Sequence, residues 1–333
     1  MKLVACIAED RRGAEIGLKL AILSLNEHCP DVPIILHRPD PIPSFEKWVR
    51  RFPQVILKSE RFANWHDWNC KPESLLLALR ERPDAQALWI DSDMVVTRDP
   101  RAIMDHMPPD VLILPQEPTS QPNQGSECRT TAWGWPVGNR HPFTFNGSIL
   151  RVSTRHIRLL ERWRELQASP EYVAVHKLPF DQRPQHLLSD QDIMTGMLGS
   201  AEFADHPVHM LPHGKDVIHC GGALGFSLME RLQGLVRPLP TFLHAIGGKP
   251  WVLMGMNNPA SDRGARFRRL LQEVSPYVAY VRRYRDLVDE DVAWMNFKTL
   301  PGVILRAAGF GHWAIRGLPV TAAATLWRAV RGS

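Results

Sequence analysis

The sequence predicts an α/β fold with a doubly wound, mostly parallel sheet. Short apolar runs of strand length recur from Leu3 to Ile218, and stretches of helical spacing alternate with them. The chain has 333 residues with a 44% hydrophobic share, enough for one large α/β domain with an appendage. Residues 3–8 form the first strand. Residues 14–25 have helical spacing, ending near Pro30. A second strand follows at 32–36, then a Pro-rich loop, a helix at 45–52 and a short strand at 55–57. Residues 72–82 read as a helix with Leu75, Leu76 and Leu79 on one face. Residues 87–90 are the strand that ends at Asp91. Later come a strand at 111–114, a polar loop at 116–141, a turn and strand over 144–152, and a helix at 156–166. A further helix runs over 189–198 with Ser189 as N-cap, followed by short strands at 210–212 and 217–218. From Ser261 onward the pattern is helical and basic, which divides the chain into a main α/β domain at 1–258 and a helical extension at 259–333.

Composition narrows the class. The five cysteines, Cys6, Cys29, Cys70, Cys128 and Cys220, form no CxxC pair, which points to a reduced compartment rather than a disulfide framework or zinc site. The N-terminus turns acidic at Glu9-Asp10, too soon for a signal peptide, and no run of 18 apolar residues predicts a membrane span. These observations place the protein in the cytoplasm. The net charge is +5, and no acidic residue follows Asp291, while Lys298, Arg306, Arg316, Arg328 and Arg331 remain. Upstream, Arg266, Arg268, Arg269, Arg282, Arg283 and Arg285 lie among Leu270, Leu271, Val274, Tyr277, Val278 and Val281. A helix there would be amphipathic and basic, fitting an anionic membrane surface or an ordinary packed surface helix. No nucleic-acid signature is present.

Four short stretches carry the chemistry. The first is Leu88-Trp89-Ile90-Asp91-Ser92-Asp93-Met94-Val95-Val96. Two carboxylates at the end of a buried strand need a cation, a proton or a partner. Mg²⁺ or Mn²⁺ is the functional choice, since both take oxygen ligands and bind diphosphates. The second is Phe145-Asn146-Gly147-Ser148, where glycine permits close backbone approach and the asparagine offers an amide to a sugar hydroxyl. The third, Ser189-Asp190-Gln191-Asp192, places two acids and an amide at a helix start. The fourth is Leu243-His244-Ala245-Ile246-Gly247-Gly248-Lys249-Pro250-Trp251, which offers an imidazole for a metal, glycines for a phosphate and a lysine to neutralise it. Each alone has a plain structural explanation: a solvated strand-end turn, a turn before a strand, complementation of a helix dipole, and a satisfied structural histidine.

In order and approximate spacing the four stretches resemble glycosyltransferase family 8, whose members have the GT-A fold. Lys71, within Asn69-Cys70-Lys71-Pro72, matches a basic residue that the family carries before its aspartate motif. The resemblance runs from Met1 to Trp251. It implies a mixed, mostly parallel sheet flanked by helices, and a metal-dependent, retaining transfer from a nucleotide-diphosphate sugar, usually UDP-linked, to a glycan or lipid-linked acceptor of the cell envelope. By that resemblance Asp91, Asp93 and His244 hold Mn²⁺ or Mg²⁺. Asn146 and Gly147 line the donor sugar, and Asp190 and Gln191 face it near the anomeric carbon. Lys71, Ser92, Gly247 and Lys249 belong to the donor site, with Lys249 on the diphosphate and Ala8 and Glu9 near the nucleoside. Retention proceeds by attack on the departure face or through a covalent intermediate on Asp190 or Gln191; both routes stay open. The last stretch departs from the family pattern, since only Gly248 separates Gly247 from Lys249, where the family usually has two residues. The first strand likewise ends in Ala8-Glu9-Asp10 rather than the family's usual run.

Two other classes compete. Asp91-Ser92-Asp93-Met94-Val95 also fits the first motif of haloacid-dehalogenase-like phosphatases, where the first aspartate is a nucleophile and the second a general acid. A catalytically silent GT-A domain that only binds nucleotide sugar is the other. Trp65, Trp133 and Trp135 are candidates for stacking on sugar rings, or else loop anchors.

Overall fold

The computed structural model describes residues 2–11, 13–62, 69–117, 125–220, 226–254, 263–289, 292–296, 298–309 and 311–331. Trp65 and the stretch 118–124 of the polar loop lie outside them. In chain order the elements begin β1 (Leu3–Ala8), α1 (Glu15–His28), β2 (Ile34–His37), α2 (Pro43–Val49), β3 (Val55–Lys58), α3 (Cys70–Glu81), β4 (Gln86–Ile90) and β5 (Met94–Val96). Next come α4 (Arg101–Met104), β6 (Leu112–Pro115), α5 (Ser126–Ala132), β7 (Ile149–Val152), α6 (Ile157–Gln167), α7 (Pro170–Val175), α8 (Asp190–Gly199), β8 (Val208–Leu211) and β9 (Val217–His219). The last are α9 (Leu228–Gln233), β10 (Phe242–His244), α10 (Pro250–Leu253), α11 (Arg263–Glu273), α12 (Pro276–Val281), α13 (Ala293–Asn296), α14 (Leu300–Ala308) and α15 (Leu318–Arg331).

By packing, the chain divides into two units. The first comprises 1–12, 30–92 and 101–211; the second comprises 13–29, 93–100 and 212–333. Among the described residues, the first unit holds a seven-stranded sheet of order β3-β2-β1-β4-β7-β6-β8. Its strands are parallel except β7, which runs antiparallel to both β4 and β6. This is the mixed, mostly parallel sheet that the alternation of periods predicts. Side chains alternate along a strand, so Val4, Cys6 and Ala8 of β1 share one face with Ala87 and Trp89 of β4. That face is buried together with Leu75, Leu76 and Leu79 of α3 and Leu159, Leu160 and Trp163 of α6. Each leucine or valine so buried contributes about 1.5–3 kcal/mol.

The second unit carries a small sheet of order β5-β10-β9, with β10 antiparallel to β5 and parallel to β9. Here α1 is tied to β5: the Ser24 hydroxyl accepts from the Val96 N–H at 3.1 Å, and Lys19 donates to the Val288 carbonyl at 2.9 Å.

Three expectations need correction. The loop 116–141 contains a helix, α5, which the sequence pattern missed. It is held by tertiary contacts rather than by propensity: Thr130 Oγ1 donates to the Gly196 carbonyl at 2.8 Å, and the buried Arg129 pairs with Asp192 at 2.7 Å. Ser189 occupies the N-cap position of α8 but makes no capping bond; its hydroxyl donates instead to Asp192 at 2.7 Å. The basic stretch after residue 261 does not form one amphipathic helix. It breaks between α11 and α12, where Ser275 accepts from the Val278 N–H at 3.2 Å and Pro276 begins the next helix. Val274, Tyr277, Val278 and Val281 are wholly buried in the protein's own fold and offer no face to a membrane. Among the described residues, no helix is long and apolar enough to cross a membrane.

Candidate functional site

In the first unit the polar residues gather at the carboxyl ends of β1 and β4. The strand order 3-2-1-4 reverses its winding there, and crevices of this kind are where open α/β sheets bind ligands. Ala8 is the last residue of β1, and Glu9 follows it. The buried Glu9 carboxylate accepts from Ser92 Oγ at 2.6 Å and from Arg11 Nη2 at 2.6 Å. Burial raises its pKa, but the bonds from Arg11 and Ser92 and the Arg11 charge outweigh it, so the net shift is downward. Glu9 is therefore ionised, and Ser92 is committed to holding it.

Asp91 stands one residue beyond β4. Trp89, two residues back and so on the same face, donates its indole N–H to Asp91 Oδ1 at 2.7 Å. Because β7 runs antiparallel to β4, with Ile90 opposite Ile149, its start lies beside the end of β4. The Asp91 N–H donates to the Ser148 carbonyl at 2.9 Å. This pairing brings Asn146-Gly147 to the aspartate.

Lys71, in the first turn of α3, joins these pieces. Its buried ammonium donates to the Gly147 carbonyl at 2.8 Å and pairs with Asp190 at 2.9 Å and Asp91 at 3.3 Å. Burial alone would lower the lysine pKa; the charges of Asp190 and Asp91 reverse this and hold it well above the usual lysine range. Asp190 opens α8, and its burial pushes its pKa up against the pull of Lys71. Gly147 leaves space that a side chain would crowd. A Cβ there would stand 3.0 Å from Lys71 Nζ and 3.1 Å from Asp190 Oδ2.

Gln191 sits beside Asp190. Its Oε1 accepts from the Gly147 N–H at 3.2 Å, and its amide donates to Glu117 at 3.0 Å. The same Glu117 oxygen accepts from the Asn146 amide at 2.6 Å. The Asn146 amide is thus turned onto a buried carboxylate. Glu117 was not singled out from the sequence, because an isolated acid at the edge of a polar loop carries no spacing signal.

The second unit brings together Asp93, His244 and Lys249. Asp93 precedes β5, and the backbone ladder runs on past the strand: the Ala245 N–H donates to the Asp93 carbonyl at 3.0 Å. His244 ends β10, and its Nε2 lies 3.3 Å from Asp93 Oδ1. Lys249 donates to Asp93 Oδ2 and to the Ala245 carbonyl. Gly247 adopts a φ of +73°, a left-handed conformation that the tight turn between His244 and Lys249 requires. The shortened turn leaves the lysine on the aspartate. Trp133 and Trp135 stack on each other at 4.8 Å with a 6° interplanar angle, and Trp133 packs on the core of the first unit.

The donor set in the second unit suits a divalent cation. An imidazole nitrogen faces a carboxylate oxygen, and the other oxygen of that carboxylate already attracts a positive charge. The other ring nitrogen of His244 is held by His219 Nδ1 at 2.8 Å, the arrangement that orients ligating histidines.

No protein-family model matches the chain, and no curated protein matches it by sequence. Among solved structures the chain is similar to the galactosyltransferase LgtC in complex with donor and acceptor sugar analogs. The two are 18% identical with a TM-score of 0.48, over 80% of this chain and 94% of that one. It is also similar to the glycosyltransferase GlyE of Streptococcus pneumoniae TIGR4, at 16% identity and a TM-score of 0.47, over 86% of this chain and 64% of that one. A third is the bifunctional glycosyltransferase WbbM, at 15% identity and a TM-score of 0.47, over 75% of this chain and 46% of that one. The chain therefore spans less than half of WbbM and under two thirds of GlyE. Identities this low bear on fold alone, and scores below 0.5 add nothing to what the strand order establishes.

Proposed function

We propose that the protein is a glycosyltransferase that moves a sugar from a nucleoside-diphosphate donor, with UDP as the nucleotide, to a glycan or lipid-linked acceptor with retention of configuration. The observation that carries this reading is the convergence on Lys71. Asp91, Gly147 and Asp190 lie far apart in sequence, were singled out for their chemistry, and all meet one buried ammonium. A phosphatase does not account for that, since its nucleophile would not need Gly147 and the start of α8; a domain that only binds nucleotide sugar is separated by release of nucleoside diphosphate.

In this reading Asp91, Asp93 and His244 hold Mn²⁺ or Mg²⁺, and the cation neutralises charge on the departing diphosphate. Glu9 and Ser92, at the carboxyl ends of β1 and β4, face the nucleoside. Gly147 leaves the backbone open to the donor sugar. Asp190 and Gln191 lie against it, with Glu117 fixing which way the Gln191 amide points. Lys71 pairs with Asp190 and holds it in place. A cation held by Asp93 would compete with Lys249 for that carboxylate, and Lys249 would then be available to the diphosphate. The acceptor is presented at an anionic membrane surface, supported by the acid-free C-terminus and by exposed apolar side chains on α14 and α15.

The test is thermal unfolding against a panel of nucleotide sugars, each with and without Mn²⁺. A native-state ligand raises the melting temperature by mass action, so the matching donor stabilises only when Mn²⁺ is present. The double variant Asp91→Asn, Asp93→Asn abolishes both that stabilisation and metal-dependent release of nucleoside diphosphate. Retention of both by the double variant overturns the assignment.

A further inference from the structure

His219 belongs to none of the four sequence stretches, yet it touches the histidine of the last one. Strands β9 and β10 are parallel and in register, with His244 opposite His219, so both imidazoles leave the same face of the small sheet. The Cys220 N–H donates to the His244 carbonyl at 2.6 Å and locks that register. The rings meet edge to face, with centroids 5.0 Å apart and a 66° interplanar angle, and their two Nδ1 atoms lie 2.8 Å apart. Both rings are buried.

A contact between two Nδ1 atoms allows one proton between them. If His219 donates, His244 accepts through Nδ1 and carries its own proton on Nε2, pointed at Asp93. If His244 donates, its Nε2 bears a lone pair facing Asp93 Oδ1 at 3.3 Å. Only the second arrangement can ligate a cation. His219 is itself held in place. Its backbone N–H donates to His213 Nε2 at 3.3 Å, which leaves the His213 proton on Nδ1, directed at Glu230. Glu230 in turn accepts from the Ser227 N–H at 2.7 Å and caps α9. A chain of fixed groups thus runs from a helix cap to the ring of His244.

We infer that His219 is a positioning residue for a divalent cation: it accepts the Nδ1 proton of His244 and so presents the Nε2 lone pair beside Asp93. This rests on the reading of His244 as a metal ligand. Loss of such an orienting partner typically weakens metal binding by about 10- to 100-fold.

The experiment measures Mn²⁺ binding directly, by the electron paramagnetic resonance signal of free Mn²⁺, without donor or acceptor. Metal-free thermal unfolding runs in parallel to verify folding. His219→Phe fills the space and cannot accept a proton; it should bind Mn²⁺ about 10- to 100-fold more weakly. His219→Asn places an amide oxygen where Nδ1 stood and should restore binding to within a few-fold of wild type. His244→Ala is the control for the underlying reading. If His244→Ala weakens binding but His219→Phe binds like wild type, the positioning role is overturned and the metal reading stands. If His244→Ala itself binds Mn²⁺ as wild type does, the metal reading fails. If His219→Phe does not fold, the comparison rests on His219→Asn against His219→Ala, and equal loss in both overturns the role of the acceptor atom.

Discussion

Lys71 is the residue on which the polar cluster of the first unit depends. Burying an ammonium costs several kcal/mol, and here two carboxylates and a carbonyl compensate it. The compensation is mutual, since Asp190 is equally buried and the Lys71 charge is what chiefly opposes the rise that burial imposes on its pKa. Removing one partner leaves the other as an uncompensated buried charge. Lys71→Met should therefore lower unfolding stability by about 3–5 kcal/mol, measured by urea denaturation at pH 7. The double variant Lys71→Met, Asp190→Asn should lose much less than the two single losses combined, because the fully buried carboxylate is then neutral and only the more exposed Asp91 loses its partner. Additive losses would show that the pair is not coupled and that Lys71 acts mainly through Asp91. The charges of Asp190 and Asp91 hold the Lys71 pKa above its usual range, so the ammonium itself keeps its proton around neutral pH.

At the scale of elements, what fixes the entry to α6 is a histidine used in its neutral form. His156 Nδ1 accepts from the Ser153 N–H at 3.0 Å, and Nε2 donates to the Asp110 carbonyl at 3.0 Å. Burial, aided by the neighbouring His206, drops its pKa from 6.5 to about 4. The folded protein thus refuses a proton that the unfolded chain accepts below pH 6.5. Its contribution is intact above that pH and is lost as pH falls from 6.5 toward 4. His156→Gln, which cannot titrate, should be less stable than wild type at pH 7 but should lose less across that window, as followed by urea midpoints at successive pH values. Equal slopes would refute it. The buried His37, also shifted to about 4, adds a second loss over the same range in both proteins. Elements of this size were legible because their periods are long enough to count: β1 falls at 3–8 as expected, and α3, α6 and α8 lie within two residues of expectation. The strands β5 and β10 were not, since three residues hold no periodicity and their pairing partners lie elsewhere in the chain. The site divides the same way. Asp91, Asp93, Gly147, Asp190 and His244 stand in short runs whose composition marks them. Glu117 meets Gln191 across 74 residues and His219 meets His244 across 25, and no local pattern encodes such a meeting.

At the scale of the molecule, charge and apolar exposure coincide at the C-terminus, though not where the sequence placed them. Val274, Tyr277, Val278 and Val281 of the arginine-rich stretch are consumed by the fold, and Arg282, Arg283 and Arg269 are bonded to Met295, Glu27 and Leu253. A run of exposed apolar positions lies further on. Leu300 is 74% exposed, Val303 43% and Ile304 57%, at the i, i+3, i+4 spacing of one helix face on α14. Leu326 at 67% and Val330 at 84% are exposed on α15. No acid interrupts this region after Asp291, while Lys298 and Arg316 supply positive charge. An anionic bilayer rewards both features. Each basic residue near the surface contributes about 1 kcal/mol, and each leucine or isoleucine buried among acyl chains about 1.5–3 kcal/mol. The full-length protein should therefore sediment with vesicles containing phosphatidylglycerol at low salt and not with vesicles of phosphatidylcholine alone. Raising salt to about 1 M shortens the screening length from roughly 10 Å to 3 Å and should release most of it. Leu300→Asp with Ile304→Asp should weaken binding by at least about tenfold while leaving the melting temperature nearly unchanged, since both side chains already face solvent. Absence of sedimentation with anionic vesicles at low salt would remove the membrane from the proposal. Sedimentation unaffected by the double variant would instead place the contact on the basic residues alone, with α14 standing clear of the lipid.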